Sequence, residues 1–423
     1  MCKRAACLVV LWSVPSPAPG DCPAQWLPGA QRGFVGFDGR VSAATVWEPD
    51  GPASQPDLLI VGGEFLHVGE LVTNHVVAWD ANQWHALGSG TNGPVHALGT
   101  YAGELIAGGS FTMAGDRAAA NIAGWDGAQW RQLDTGLGSQ DFPTQVYALA
   151  EYDSDLIVGG EFSRAGSIAA ANVARWDGTE WHPLGTGTNG SVRALFVYNG
   201  ELIAGGGFST AGGVSVNYIA RWNGAQWSAI GGMSARVAAL FEYDGELIAA
   251  GHFTLAGGAS HRYIARWDGA QWRSLGAGMT GFTSPNVSAL IGHDGQLVAA
   301  GRFNMASGIA CNHIARWDGA AWQPLGSGTD GQVAALTVYE GRLIVGGGFT
   351  MAGGRLSPYW ARWGTPWGDL NGDEVVGPAD TRTFTNCLLG PDEPFDEGCD
   401  CGDTDRDGDM DLHDYAAFQR LFE

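Results

Sequence analysis

Oxygen-bearing side chains alternate along two twelve-residue stretches near the end of the chain, Asp369 to Asp380 and Asp403 to Asp414. In a loop of this length, side-chain oxygens at positions 1, 3, 5 and 12 converge on one hard cation, and the residue at position 7 adds its backbone carbonyl. The two stretches therefore predict two Ca²⁺ sites. Mg²⁺ suits such loops less well, because it demands near-octahedral geometry and retains several waters.

The two loops satisfy this pattern to different degrees. The predicted ligands of the first loop are Asp369, Asn371, Asp373, Val375 and Asp380, and those of the second are Asp403, Asp405, Asp407, Asp409, Asp411 and Asp414. In the first loop, Glu374 stands where the sharp turn favours glycine, and Gly377 offers no side-chain ligand. The second loop has Gly408 at the turn and Asp411 as an additional ligand. We therefore expect the second loop to bind Ca²⁺ more tightly.

Each loop leads into a predicted helix, over residues 380–388 and 414–422, with Phe384 and Phe418 on their apolar faces. The loops begin 34 residues apart, each ends in Asp, and no helix is predicted before the first. In these features residues 368–423 resemble a type I dockerin, a module with EF-hand-like loops. The resemblance implies a small α-helical domain that folds with Ca²⁺ and binds a cohesin-like domain on a scaffold protein or cell surface.

A repeated unit fills most of the chain before this tail. Seven copies carry a Phe followed 14 residues later by a Trp, and successive Trp residues of this series are 45 to 51 residues apart. The series is Trp79, Trp125, Trp176, Trp222, Trp267, Trp317 and Trp363. Self-similarity at such a period indicates a propeller or a solenoid.

The fourth copy shows how one unit is built. Residues 192–198 and 201–208 are rich in β-formers and flank Asn199-Gly200, a pair that favours a two-residue type I′ hairpin. A longer Gly/Ser loop then leads to two further strands joined by Asn223-Gly224. Four strands per copy constitute one propeller blade.

The last two strands of each copy carry a pair of tryptophans. In the second copy, a two-residue hairpin at Asp126-Gly127 would place Trp125 opposite Ala128 and both indoles of the copy on one sheet face. Large aromatic residues at a fixed place in every repeat are typical of core packing. We therefore interpret this tryptophan series as structural.

The first and last copies are each incomplete. Residues 24–26 repeat the Ala-Gln-Trp of the fourth strand, as at 128–130, although three preceding strands are lacking, whereas the seventh copy ends after the strand that contains Trp363. We predict that the segment around Trp26 completes the last copy and removes an exposed sheet edge. The predicted fold is mainly β, with a seven-bladed β-propeller over residues 21–367 closed by an N-terminal strand.

The glycine pairs before each Phe, such as Gly62-Gly63 and Gly108-Gly109, and the paired tryptophans resemble kelch-type propellers and the central domain of galactose oxidase. The pattern GGxFxxAGG…ARWDGxxWxxLG is also similar to the extracellular propeller of fungal cortical cell-polarity markers. These resemblances imply a fold and do not imply a reaction. The Tyr/His ligand set and the Cys joined to Tyr that copper oxidases of this type require have no counterpart in the sequence.

The N-terminus and the composition predict an extracellular protein. Residues 1–20 contain Lys3, Arg4, an apolar run and then small residues and prolines, which is typical of a secretory signal peptide and too short for a membrane span. The net charge is −22 and Lys3 is the sole lysine, so nucleic acid and anionic lipid are disfavoured as partners. Among the cysteines that would remain after cleavage, Cys387 is predicted to pair with Cys399 or Cys401.

Variation between copies marks a candidate ligand-binding rim. The residue between the glycine pair and the Phe differs from copy to copy and includes Glu64, Glu161, His252 and Arg302. Connections between copies carry Asn92, Asn189 and Asp330. A glycan or a protein could bind at this rim, whereas solvated loop residues are the plainer interpretation of the same positions.

Three functions remain open at this stage. A secreted non-catalytic binding protein fits best, because no paired carboxylates, metal-binding His cluster or nucleophile with its base is evident. A glycan-active hydrolase or lyase in polysaccharide catabolism is the alternative, since dockerins are commonly joined to such enzymes. A structural cell-surface protein is the third.

Overall fold

The computed structural model describes residues 24–27, 36–49, 57–81, 83–364, 381, 384–385, 387–388 and 412–420. Contacts within the chain define two compact units. One is Trp26–Trp363, and the other consists of Met1–Gln25 with Gly364–Glu423. The predicted signal peptide lies outside the described residues, as do all the predicted calcium ligands except Asp414.

The described residues form seven four-stranded antiparallel sheets, numbered here in chain order. Sheet 1 contains Val41–Trp47, Leu58–Gly63, Val76–Trp79 and Trp84–Ala86; sheet 2 contains Val95–Tyr101, Glu104–Gly109, Ile122–Trp125 and Trp130–Gln132; sheet 3 contains Gln145–Tyr152, Asp155–Glu161, Val173–Trp176 and Trp181–Pro183. Sheet 4 contains Val192–Tyr198, Glu201–Gly206, Ile219–Trp222 and Trp227–Ala229; sheet 5 contains Val237–Tyr243, Glu246–Gly251, Ile264–Trp267 and Trp272–Ser274; sheet 6 contains Asn286–His293, Gln296–Arg302, Ile314–Trp317 and Trp322–Pro324. Sheet 7 contains Val333–Tyr339, Arg342–Gly347 and Trp360–Gly364, with Gln25–Leu27 as its fourth strand.

A short hairpin lies between the second and third strands of every sheet. The hairpins pair His67–Val68 with Leu71–Val72, Met113–Ala114 with Arg117–Ala118, Arg164–Ala165 with Ile168–Ala169, Thr210–Ala211 with Val214–Ser215, Leu255–Ala256 with Ala259–Ser260, Met305–Ala306 with Ile309–Ala310, and Met351–Ala352 with Arg355–Leu356. In sheets 3 and 6, the preceding connection adds a third short strand, Leu137–Gly138 and Met279–Thr280 respectively.

The first strands of the seven sheets form the centre of the larger unit. Each contacts the first strand of the next sheet, and Val333–Tyr339 of sheet 7 contacts Val41–Trp47 of sheet 1, so that the ring is closed. Sheets arranged radially round a centre in this way form a β-propeller. The β-propeller prediction is therefore confirmed.

The sequence predicts two-residue turns between the first and second strands and between the third and fourth strands of a sheet. At Asn199-Gly200 the flanking residues Tyr198 and Glu201 pair directly, and both turn residues have positive φ (50° and 76°), as a type I′ turn requires. The predicted register at Asp126-Gly127 is wrong, because Trp125 pairs with Trp130 rather than with Ala128.

The reason for this error lies in one side chain. Oδ1 of Asp126 accepts hydrogen bonds from the backbone N–H groups of Ala128 and Gln129, at 2.9 and 2.8 Å. These bonds stabilise a four-residue loop, since Asp readily bonds the backbone two or three residues further on. The indole rings of Trp125 and Trp130 still share one face, with ring centroids 5.3 Å apart.

In sheets 2 to 7 the tryptophan of the fourth strand connects neighbouring sheets. Nε1 of Trp130 donates a hydrogen bond to the backbone carbonyl of Leu87, at 2.8 Å, and Trp227 donates in the same way to Leu184, at 3.0 Å. Trp181, Trp272 and Trp322 repeat the contact. Because these five rings are buried and their indole nitrogens are hydrogen-bonded, the fourth-strand tryptophans of sheets 2 to 6 are structural, as interpreted from the sequence.

Trp26 makes the same contact for sheet 7. Its Nε1 donates to the carbonyl of Leu325 of sheet 6, at 2.9 Å, and its ring lies 5.4 Å from that of Trp363. The side chain is 5% exposed. The predicted pairing of the N-terminal segment with the strand that contains Trp363 is therefore present.

The C-terminal unit contributes one described helix, Leu412–Arg420. Phe418 on this helix stacks on Phe384, with ring centroids 4.5 Å apart, and both side chains are buried. Cys387 is disulfide-bonded, and its partner lies outside the described residues. In the described part of the chain, no helix is long and apolar enough to cross a membrane.

Candidate functional site

A β-bulge recurs at the start of all seven first strands. In sheet 2, Val95 pairs with Gly109 and Ala97 pairs with Gly108, so His96 between them has no partner in the second strand. The corresponding residues are Ser42, His96, Tyr147, Arg193, Ala238, Ser288 and Ala334. A bulge re-aims a side chain and is common beside functional sites. Because the first strands form a closed ring, these residues form a ring at one end of it, called here the bulge ring.

The bulge ring is chemically uneven. In sheets 2, 3 and 4 it holds His96, Tyr147 and Arg193, which contact one another in that order: the His96 and Tyr147 rings lie 5.9 Å apart, and the Arg193 guanidinium lies 4.1 Å from the Tyr147 ring centroid. The last is a cation–π contact. On the other sheets the corresponding residues are small.

Two more basic side chains adjoin this row. Arg236 immediately precedes the first strand of sheet 5, and its guanidinium nitrogens lie 2.9 and 3.2 Å from the ring nitrogens of His252. The backbone N–H of His252 donates to the carbonyl of Arg236, at 3.0 Å, which fixes the two residues side by side. His96, Tyr147, Arg193, Arg236 and His252 are called here the mouth.

Burial and neighbouring positive charge lower the pKa values of three groups of the mouth. Burial, followed by the charges of Arg236 and Arg193, lowers the pKa of His252 to about 4, so that its imidazole is neutral at pH 7 and accepts a hydrogen bond from Arg236. Burial and the neighbouring charge of Arg193 also lower the pKa of Arg236. Burial lowers the pKa of His96, and Arg193 acts in the same direction. These shifts place Arg193 within electrostatic range of both histidines of the mouth.

The four predicted rim residues lie near the starts of the first strands, but they do not form one cluster. Glu64 and His252 each donate a backbone hydrogen bond to the residue that precedes their first strand, whereas Glu161 and Arg302 pair in register with the first residue of theirs. His252 belongs to the mouth, and the charge of Glu64 acts on His96 to raise its pKa. Arg302 lies apart, 5.8 Å from the ring of Phe282.

The three predicted connection residues have structural contacts. Oδ1 of Asn92 accepts hydrogen bonds from the backbone N–H groups of Thr112 and Met113, at 2.8 and 2.9 Å. Asn189 and Asp330 make equivalent pairs of bonds in sheets 4 and 7. These contacts tie the connection between sheets to the hairpin that follows, so Asn or Asp at this position has a structural role in sheets 2, 4 and 7.

Sequence reasoning missed Tyr147, Arg193 and Arg236. The residue after the first apolar residue of each copy varies as strongly as the predicted rim position does, and this variation was the available signal. In a regular strand, alternate residues face opposite sides of the sheet. The bulge shifts that alternation by one residue.

Asp414 is the one predicted calcium ligand that lies among the described residues of the tail. Its carboxyl group is fully buried in the first turn of Leu412–Arg420, where the helix dipole favours an anion. A buried carboxylate at the last position of a calcium loop suits a Ca²⁺ ligand. The remaining predicted ligands lie outside the described residues.

Comparison with known proteins supports the fold. The model of a family described as the Rax2 C-terminal beta propeller domain matches residues 131–287. None of the curated proteins matches the chain. Similar solved structures include the WD40 beta propeller domain of Doa1, at 16% identity over 80% of this chain and 96% of that one, with a TM-score of 0.48.

Two further structures are similar at the same level. The computationally designed Ika8 protein is 15% identical over 78% of this chain and 97% of that one, with a TM-score of 0.45. The extracellular domain of the putative one component system BT4673 from B. thetaiotaomicron is 11% identical over 82% of this chain and 42% of that one, with a TM-score of 0.48.

Proposed function

We propose that this chain is a secreted, non-catalytic binding protein. Its seven-bladed, kelch-like propeller binds a ligand at the mouth, and its dockerin-like tail attaches it, in the presence of Ca²⁺, to a cohesin-like partner on a scaffold or cell surface. The propeller is an interaction platform, and the tail determines where that platform is held.

The observation that carries the proposal is a contrast between two parts of the propeller. The features that recur from sheet to sheet, called here the frame, build the fold, whereas the residues of the mouth differ from sheet to sheet. The bulge, the paired tryptophans and the Asn or Asp of the connections recur from sheet to sheet because they build the fold. Tyr147 and Arg193 occupy a repeat position at which four other copies carry Ser or Ala, and Arg236 occupies one at which the residue type also changes from copy to copy. Polar and aromatic side chains that the frame does not need are available for a ligand.

Ca²⁺ binding by the tail rests on the loop pattern and on Asp414. When bound, the ion would be held by carboxylates of residues 369–380 and 403–414, and it would neutralise acidic groups that otherwise repel one another. The stacked Phe384 and Phe418 provide the small apolar core against which the loops would close. The disulfide at Cys387 suits an oxidising, extracellular compartment.

A paired binding and activity assay tests the propeller. Purified full-length protein is applied to glycan and protein arrays, and release of reducing sugar is followed on the same glycans. Binding without release supports the proposal. Release of sugar would instead show the hydrolase or lyase considered from the sequence, and neither binding nor release would favour a structural role.

Calorimetry tests the tail. Asp403→Ala should weaken Ca²⁺ binding more than Asp369→Ala does, because the second loop has the glycine turn and the additional ligand. An absence of Ca²⁺ uptake by the full chain contradicts the proposal for the tail. A larger loss in Asp369→Ala contradicts the assigned order of the loops.

A further inference from the structure

The basic residues of this protein are few, and the outer strands use many of them in ion pairs. The chain has 22 Lys and Arg against 44 Asp and Glu. On third and fourth strands, the arginines that form ion pairs with carboxylates of their own sheets are Arg131, Arg175, Arg221, Arg266 and Arg273. An arginine without a carboxylate partner keeps a charge that its own sheet does not compensate.

The mouth contains two such arginines. Among the described residues, no carboxylate forms an ion pair with Arg193 or Arg236. Nε of Arg193 is buried without a hydrogen-bond acceptor among those residues, although its guanidinium lies on the Tyr147 ring. A buried donor that lacks an acceptor costs free energy, so an acceptor supplied by a ligand would remove that cost.

The neighbours of these arginines favour an anion over a neutral acceptor. Arg236 is held by a neutral His252, which leaves its positive charge uncompensated. A guanidinium bonded to neutral groups retains N–H donors in the planar arrangement that matches a carboxylate or a sulfate. The charge of Arg193 contributes to lowering the pKa of both Arg236 and His96, so it lies near each of them.

We propose that the mouth binds an oxyanion carried by an acidic glycan, either a uronic acid carboxylate or a sulfate ester. Arg193 and Arg236 are the charge partners, and Tyr147 holds Arg193 in place. A glycan is favoured because Phe282, in the connection from sheet 5 to sheet 6, is an exposed aromatic ring that stacks on His313 with ring centroids 5.2 Å apart. It lies 5.8 Å from Arg302, which pairs with the first residue of the first strand of sheet 6, at the end of that strand where the bulge lies. Exposed aromatic faces of this kind pack against sugar rings. This inference rests on the proposed binding function and specifies its ligand class.

Calorimetry with defined oligosaccharides tests the inference on the full chain. The probes are a sulfated hexasaccharide, a hexauronate, a neutral hexasaccharide and hexaglutamate. The variants are Arg193→Gln with Arg236→Gln, and Arg221→Gln is the matched control because it removes an arginine paired with Glu201. We expect one of the acidic glycans to bind and the double variant to lose at least about ten-fold in affinity, with the control unchanged.

The outcomes separate the sources and the proposals. The acidic glycan that binds more tightly identifies the group as sulfate or carboxylate. Equal binding of the neutral hexasaccharide, unchanged affinity in the double variant, or binding of hexaglutamate alone overturns the inference and leaves a binding function intact. Failure on the complete arrays removes the binding function itself. If the double variant does not fold, the affinity of the parent protein for the glycan is measured with added inorganic sulfate and at several salt concentrations. An affinity that changes with neither excludes an anion site.

Discussion

The arginines of the outer strands and those of the mouth make an informative comparison. Arg175 lies 2.7 Å from Asp155 and Arg266 lies 3.0 Å from Glu246, so these charges are compensated within one sheet. Arg193 and Arg236 lie against an aromatic ring and a neutral imidazole instead. The same side chain is thus a structural partner on the outer strands and an available charge at the centre. The repeat itself explains this difference.

In sheets 3, 4 and 5 an acidic residue begins the second strand and an arginine lies on the third strand, and the sheet brings the two together. The bulge residue has no such partner in the second strand, so the repeat does not fix what stands there. Folding therefore accounts for the outer pairs, whereas it leaves the residue at the bulge position unspecified. The predictions below test whether these two regions are energetically independent.

The largest effect is expected when the frame between sheets is broken. Trp130→Ala should reduce the free energy of unfolding by about 3–5 kcal/mol, because it removes a buried aromatic ring and the hydrogen bond to Leu87. Trp26→Ala should act similarly at sheet 7, although Trp26 and sheet 6 are 299 residues apart in sequence. Urea unfolding of the variants measures both losses. A Trp26 variant as stable as the parent would contradict the closure of the ring.

Arg193→Gln is the matched change in the mouth. Its stability should stay within about 1 kcal/mol of the parent, since it removes an unpaired charge and a cation–π contact that oppose each other in sign. If the same unfolding experiment gives a loss as large as that of Trp130→Ala, the mouth is part of the frame, and the two regions are not independent.

The third effect in size is expected for the dependence of stability on pH, to which His252 of the mouth contributes. The pKa of His252 is lowered to about 4 by burial, Arg236 and Arg193, so the unfolded chain takes up a proton near its ordinary value of 6.5 before the folded protein does. As pH falls from 6.5 to 4, this residue therefore reduces stability, by about 1 kcal/mol after allowance for solvent screening. His252→Gln should lose less stability over that window.

A bound oxyanion should oppose this effect. It would favour the imidazolium of His252 and raise its pKa, so binding should tighten as pH falls towards 5 and should be accompanied by proton uptake. Calorimetry in two buffers of different ionisation enthalpy measures that uptake. Binding that weakens with falling pH would show that His252 does not face the anion.

The sequence predicted the fold well because the fold repeats. Seven aligned copies specify strands, tryptophan pairs and the need for Trp26 in sheet 7, since each copy corrects errors made in another. The hairpin register at Asp126 was missed because side-chain bonding to the backbone lengthens the loop without changing the residue pattern. The calcium loops stay a prediction, with Asp414 alone among their ligands described.

The site was predicted less well, and for a related reason. The choice of Glu64, Glu161, His252 and Arg302 followed from variation between copies, and it reached the neighbourhood of the mouth through His252. Asn92 was chosen from its place in a connection, yet its side chain is bonded to the backbone of the next hairpin. Variation between copies indicates positions at which the repeated fold requires no particular residue. It does not indicate which side chains meet, because that depends on the bulge and on the order of sheets in the ring.

The smallest effect is expected for the outer ion pairs. Arg221 lies 3.3 Å from Glu201, and both side chains are substantially exposed, so solvent screens their attraction and the fixed geometry costs side-chain entropy. Arg221→Gln should change the free energy of unfolding by about 0.2–1 kcal/mol, and less in high salt. It should leave oligosaccharide affinity unchanged, because its charge is already compensated. A double-mutant cycle of Arg221→Gln with Glu201→Gln, measured by urea unfolding, isolates the pair. A coupling energy above about 2 kcal/mol would show that the outer ion pairs stabilise the fold more than exposed pairs usually do. A loss of ligand affinity in Arg221→Gln would show that the charge of an outer strand acts at the mouth. The two sets of arginines would then form one electrostatic system.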